Sequence, residues 1–130
     1  MLGALRLDGA TACMTIEGAT DAEVFGAYVT RVLCPWLRVG DVVILDNLAP
    51  HRSGPALAQI EKAGATVLPL PAYSPDLNPI EMMWSKVKES LRAAEARNED
   101  ALHEAIRSAL ERVSPQDAIN WFAACGYSFL

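Results

Sequence analysis

Val42-Val43-Ile44-Leu45 is the stretch that most narrows what this chain can become. Four apolar residues follow the turn pair Gly40-Asp41, and the run stops abruptly at Asp46-Asn47. A strand with one wet face alternates polar and apolar side chains. An unbroken run reads instead as a strand covered on both faces, as in a parallel sheet. A parallel neighbour requires a crossover, and the sequence supplies one. Pro55 to Ala63 reads as a short helix closed by Gly64, and Thr66-Val67-Leu68-Pro69-Leu70 reads as the returning strand. This βαβ unit sets an α/β class.

The flanking segments fit around it. LGALRL (2–7) and TACMTI (11–16) are short apolar runs joined at Asp8-Gly9, a hairpin signal. Over residues 21–37, Val24, Phe25, Tyr28, Val29, Val32 and Leu33 recur at helical spacing, and Pro35 marks the end. After Pro79, the residues Ile80, Trp84, Val87 and Leu91 form a helical core stripe. Residues 99–113 carry Leu102, Ile106, Ala109, Leu110 and Val113 on one face. Ser114-Pro115 then opens a last helix that runs toward Ala124 and stops at Gly126. The expected organisation is one domain over residues 1–130, with a hairpin (2–16), a core (21–97) and C-terminal helices (98–125).

Composition removes several functional classes. An apolar share of 52% and a charged share of 21% are those of a folded domain, not a disordered one. No apolar run approaches the ~20 residues of a membrane span, and MLGALRLDG lacks a secretory n-region. Cys13, Cys34 and Cys125 are odd in number and lack C-x-x-C spacing, which reads as free thiols in a reducing cytoplasm. With 16 acids against 11 bases and a net charge of −5, the basic footprint of a free-standing nucleic-acid binder is missing. Contact with nucleic acid needs local clusters of cations or a further segment.

Two acids carry the chemistry. Asp46 ends the VVIL strand, and open α/β sheets place ligands at that end. Asp-Asn is also ordinary turn chemistry. In YSPDLNPIE (73–81), Asn78 falls at a helix N-cap, Pro79 at the first helical position and Glu81 at the third. That is a capping box worth ~1 kcal/mol. Glu81 therefore has two rival uses, as cap and as ligand. The crossover brings the start of its helix to the sheet edge where Asp46 sits. Two carboxylates converging there offer the oxygen donors that a hard cation such as Mg²⁺ requires.

Lesser candidates surround them. Asn47 beside Asp46 can orient the site by hydrogen bonds, and His51 can place a phosphate or shuttle a proton, or be a turn histidine. Lys88 and Arg92 follow Glu81 on one helical face; they either meet phosphates or offset Glu81, Glu89 and Glu95. Tyr73 and Trp84 read as packing residues rather than base-stacking groups. Asp8 belongs to a turn, while Glu17, Asp21 and Glu23 read as caps and solvated charges.

VVILDNLAPH and LPAYSPDLNPIEMMWSKVK, at this spacing, resemble the catalytic domain of bacterial insertion-sequence transposases of the mariner-like superfamily. That superfamily lies within the larger DDE group of ribonuclease-H-like fold. The resemblance runs from LGALRLDG through WFAACGY, and its paired blocks are far more specific than either acid alone. It implies a mixed sheet with flanking helices, and DNA strand cleavage and strand transfer with two Mg²⁺ or Mn²⁺ ions. Transposon ends and target DNA are the implied partners. Asp46 matches the second catalytic acid and Glu81 the third; Asn47, His51 and Asn78 remain candidates for site support, and Lys88 and Arg92 for DNA contact.

The family's first catalytic aspartate lies on a strand that precedes the hairpin, whereas this chain begins at the hairpin. The expectation is an N-terminally truncated domain lacking its first, central strand, with an incomplete two-ion site and little activity. Residues 2–7 would then pair directly with residues 42–46, or a second copy would fill the gap as a homodimer. A rival from another class is a non-catalytic remnant that folds or dimerises without turnover. A strand-end-Asp phosphohydrolase is disfavoured, because Asp46-Asn47-Leu48 stands where an Asp-x-Asp is needed.

Overall fold

A hairpin opens the chain, with β1 (Leu2–Leu5) and β2 (Thr11–Met14) as its arms. The Asp8-Gly9 signal is realised. Gly9 takes a φ of +88°, its amide donates to the Arg6 carbonyl (3.0 Å), and the Asp8 carboxylate accepts the Ala10 amide (2.9 Å). The computed structural model describes residues 1–15, 21–46, 54–71 and 73–127.

Asp21 caps the next helix, its carboxylate accepting the Val24 amide at 2.9 Å, as the cap reading expects. The helix runs as α1 (Ala22–Tyr28), a π-helical turn (Val29–Leu33) and α2 (Cys34–Trp36). The helix ends at Trp36, one residue past Pro35 and within the expected 21–37. Proline has no amide to donate, and its ring crowds the carbonyl four residues back. The wider π turn just before it, closed by the Cys34 amide on the Val29 carbonyl, fits that crowding and lets the helix continue to Trp36.

The βαβ unit then follows as β3 (Val42–Leu45), α3 (Gly54–Lys62) and β4 (Thr66–Pro69). The strands are parallel, with Val42 opposite Thr66 and Leu45 opposite Pro69. Backbone bonds extend the ladder at both ends, from the Thr66 amide to the Asp41 carbonyl (2.8 Å) and from the Leu70 amide to the Leu45 carbonyl (2.7 Å).

Phe25, Tyr28, Val29, Leu33, Ala56 and Ile60 form the core, joined by Leu2 and Ala65. Val43 and Val67 pack against it from the sheet. The other sheet face is open, with Val42 59% and Leu68 47% exposed. Burial of VVIL on both faces, expected from its composition, is therefore not found. The expected pairing of residues 2–7 with 42–46 is absent too. Among the described residues, β1 bonds to β2 and β3 to β4, as two separate two-stranded sheets. Both pairs instead send side chains into the same helical core, so apolar burial rather than a ladder joins them. The buried Tyr28 hydroxyl also donates to the Ala12 carbonyl at 2.8 Å, tying helix to hairpin.

The chain divides into two compact units, residues 1–4 with 12–78, and residues 5–11 with 79–130. From Ala12 through β4 the chain belongs to the first. The second is helical, with α4 (Ile80–Ala94) packed against α5 (Glu99–Glu111) and α6 (Pro115–Ala124). Met83 and Val87 of α4 are its buried centre, while Trp84 is half-buried and Leu102 is exposed. The apolar stripe thus turns one residue back from the expected Trp84. Ser114 and Asp117 close a reciprocal capping box at the start of α6. Among the described residues, no helix is long and apolar enough to cross a membrane.

Candidate active site

Asp46 is the first residue after β3 and is half-buried. Because β3 and β4 are parallel, the chain leaves both strands at one edge, and the bond from the Leu70 amide to Leu45 holds the two exits together. The chain leading to YSP therefore leaves β4 next to the end of β3. It is pinned again five residues past Leu70, where Pro75–Leu77 forms a 3₁₀ turn. There the Leu77 amide donates to the Ser74 carbonyl and the Asn78 amide to the Pro75 carbonyl, both at 3.1 Å.

Between the two pins stands Tyr73, with a φ of +57° and 101% relative exposure. The expectation that Tyr73 packs into the protein is overturned. A bulky residue in the left-handed region is a backbone outlier, and this one has no burial to offset the strain.

Asn78 is 8% exposed and caps the 3₁₀ turn rather than α4. The helix begins at Ile80, so Pro79 occupies the N-cap position, with no side-chain cap bond. The capping box expected at Asn78 and Glu81 is not formed, because the Asn78 amide is already given to Pro75. Glu81 is exposed in the first turn of α4, where the positive end of the helix dipole favours an anion. Among the described residues, no hydrogen bond or ion pair engages its carboxylate. The cap, its rival use, is gone.

Asp46 belongs to the first unit and Glu81 to the second. Lys88 and Arg92 are exposed on α4, about 10 and 16 Å along the axis from Glu81. Asn47 and His51 lie outside the described residues. Among the described residues, no group of three His, Cys, Asp or Glu side chains gathers into a metal site.

Two features escaped the sequence reading. The Lys86 ammonium bonds the Asp117 carboxylate (2.5 Å) and the Arg112 carbonyl (3.0 Å). This bond, followed by one from the Ser114 amide, holds the Asp117 carboxyl below the usual carboxylate range. Ser-x-x-Asp at 114–117 was the available signal. The exposure of Tyr73 left no such signal. The cysteines are free thiols; burial pushes Cys13 up to about 11 and raises Cys34. A cleft of about 320 Å³ between α4 and α5 is lined by Ser90, Ala94, Glu104, Ser108 and Arg112. It opens on the far half of α4, about 13 Å along the axis from Glu81.

A family model described as DDE superfamily endonuclease matches residues 1–103. Transposable element Tcb1 transposase of Caenorhabditis briggsae is 32% identical over 87 residues, covering 64% of this chain and 32% of its own length. Transposable element Tcb2 transposase of the same organism is 31% identical over the same shares. Histone-lysine N-methyltransferase SETMAR of Homo sapiens is 45% identical over 42 residues, 32% of this chain and 6% of that protein. The chain thus matches about a third of the length of the two transposases.

Proposed function

The chain belongs to the DDE superfamily endonuclease family, and from that premise we propose that it is catalytic-domain sequence of a transposase acting in DNA transposition. Its chemistry is metal-dependent strand cleavage and strand transfer on a ribonuclease-H-like fold, as in bacterial insertion sequences. One observation carries this reading: the family match spans both Asp46, at the C-terminal end of a parallel strand, and Glu81, whose carboxylate at a helix start has no hydrogen-bond or ion-pair partner among the described residues.

The donor chemistry fits a hard divalent cation. Both groups offer carboxylate oxygens, the ligand type that Mg²⁺ and Mn²⁺ take. Asp46 and Glu81 are the residues that would hold it. When bound, such ions activate an oxygen nucleophile and offset charge on the leaving oxygen. The rest falls to the chain. Lys88 and Arg92 neutralise phosphates along α4, and Asn47, His51 and Asn78 support the acids. With a net charge of −5, the grip on DNA is weak and salt-sensitive. In the family the first aspartate lies on a strand that precedes the hairpin; with two carboxylates assigned here, Asp46 and Glu81, a divalent ion's charge is compensated less than by three, and the 130 residues alone are expected to cut poorly. A homodimer belongs to the same proposal, through the exposed sheet face of Val42 and Leu68; light scattering reads it directly.

The test is nicking of supercoiled plasmid with Mg²⁺ or Mn²⁺, comparing this chain with a version extended upstream through that strand. Cleavage is expected from the extended protein, and Asp46→Asn or Glu81→Gln should each lower it by ~10²–10³ or more. Robust cleavage by the 130 residues, lost on Asp46→Asn, would show that another group replaces the first aspartate. Cleavage that survives both substitutions would remove these acids from the chemistry.

A further inference from the structure

We propose that Tyr73 is a stacking platform for an unpaired base of a DNA strand bound at the sheet edge where Asp46 ends β3. The inference rests on the DNA-processing reading and adds a binding contact to it.

Three observations carry it. The first is position. Leu70 is bonded to Leu45, the neighbour of Asp46, and Tyr73 follows three residues later. Three residues reach at most ~11 Å, so the tyrosine stays within a nucleotide or two of that sheet edge. The second is presentation. The ring is fully in water, and the backbone that carries it is strained at φ +57°. Glycine or asparagine would take that conformation at lower cost. The ladder bond at Leu70 and the 3₁₀ turn at Pro75–Leu77 flank the tyrosine in the chain. A strained, exposed aromatic is a candidate ligand contact.

The third is charge. A chain at −5 gains little from phosphate neutralisation, the usual source of DNA affinity. Stacking needs no cation, since every base has a π face. It does need a base that has left the helix, so the preferred ligand is single-stranded or frayed DNA rather than closed duplex.

The experiment measures fluorescence anisotropy at about 50 mM salt, with a labelled single strand and a closed hairpin duplex of matched composition. Tyr73→Gly removes the ring while accepting the left-handed backbone, so its melting temperature should be no lower than wild type. Tyr73→Asn serves the same purpose if the glycine variant is unstable. Single-strand affinity should fall about tenfold or more in these variants, duplex affinity should change little, and Tyr73→Phe should keep both. Photocrosslinking of a 5-iodouracil strand should map to Tyr73. If Tyr73→Gly binds single strands as tightly as wild type, or crosslinks map elsewhere, the platform is overturned and the DNA reading stands. If neither this chain nor the upstream-extended protein binds DNA at all, both fall.

Discussion

Truncating Asp117 to alanine should destabilise the helical unit by roughly 2 kcal/mol at neutral pH. Two losses make up that figure. The Asp117 carboxylate accepts the Ser114 amide at 3.1 Å as its half of the capping box, and a cap of this kind is worth ~1 kcal/mol. It also accepts from Lys86 at 2.5 Å, but the two side chains are 27% and 35% exposed. Solvent screening therefore limits that pair to about 1 kcal/mol, below the ~1.5–3 kcal/mol of a buried charged bond. The pH dependence has a definite sign. The folded carboxyl lies below its ordinary value, first because of the Lys86 bond and then because of the Ser114 amide. Its stabilisation is therefore complete above the unfolded value of ~3.9 and disappears as pH falls through the folded one. Urea titration followed by tryptophan fluorescence, from pH 7 down to about pH 3, reads both effects, since Trp84 and Trp121 lie in this unit. Asp117→Asn should lose the acid-dependent part while keeping most of the shape. An Asp117→Ala effect within ~0.5 kcal/mol of wild type, the range of featureless surface changes, would refute the reasoning. So would an unaltered acid profile in Asp117→Asn.

Gly9→Ala should cost about 2 kcal/mol or more, because φ is +88° and a Cβ would approach the Ser114 carbonyl carbon to 2.8 Å; a thermal melt unchanged by the substitution would mean the turn can relax. Met83→Ala, at a fully buried site, should cost ~3 kcal/mol by calorimetry. Cys13, its thiol pushed up to about 11 by burial, should react ~10²-fold more slowly with an aromatic disulfide reagent at about pH 8 than in the unfolded chain. Equal rates would show the thiol to be accessible in the native state.

Much of the fold was legible because its signals are local. Asp8-Gly9 specifies a turn whatever surrounds it, and Ser114-Pro115 starts a helix from its own chemistry. Asp46 was legible as a strand end because the apolar run stops there. The failures involve competition or distance. Asn78-Pro79-x-Glu81 has capping-box spacing, but Pro75 claims the Asn78 amide first, and no window score registers a donor already spent. VVIL announced burial on both faces, yet coverage depends on which elements arrive from elsewhere, and Val42 is left exposed. Nothing in composition says where a turn aims its side chain, so Tyr73 was read as packing. The joint role proposed for Asp46 and Glu81 rests on the family resemblance, since strand-end and helix-start acids at this spacing are common.

The register of β3 with β4 also bears on the moment of synthesis. Val42 and Leu45 find partners about two dozen residues downstream, after α3 has closed, whereas the hairpin arms are near neighbours in the chain. Near contacts form first. In the interval Val42-Val43-Ile44-Leu45 is an uncharged, β-branched run, the kind of segment that seeds aggregates. Asp41 and Asp46 bracket it, and charges so placed act as gatekeepers. Asp46→Asn would then strip a gatekeeper along with a proposed ligand, sending more of the nascent chain into inclusion bodies before any enzyme is assayed. Asp46→Glu keeps the charge on guard while displacing the oxygens.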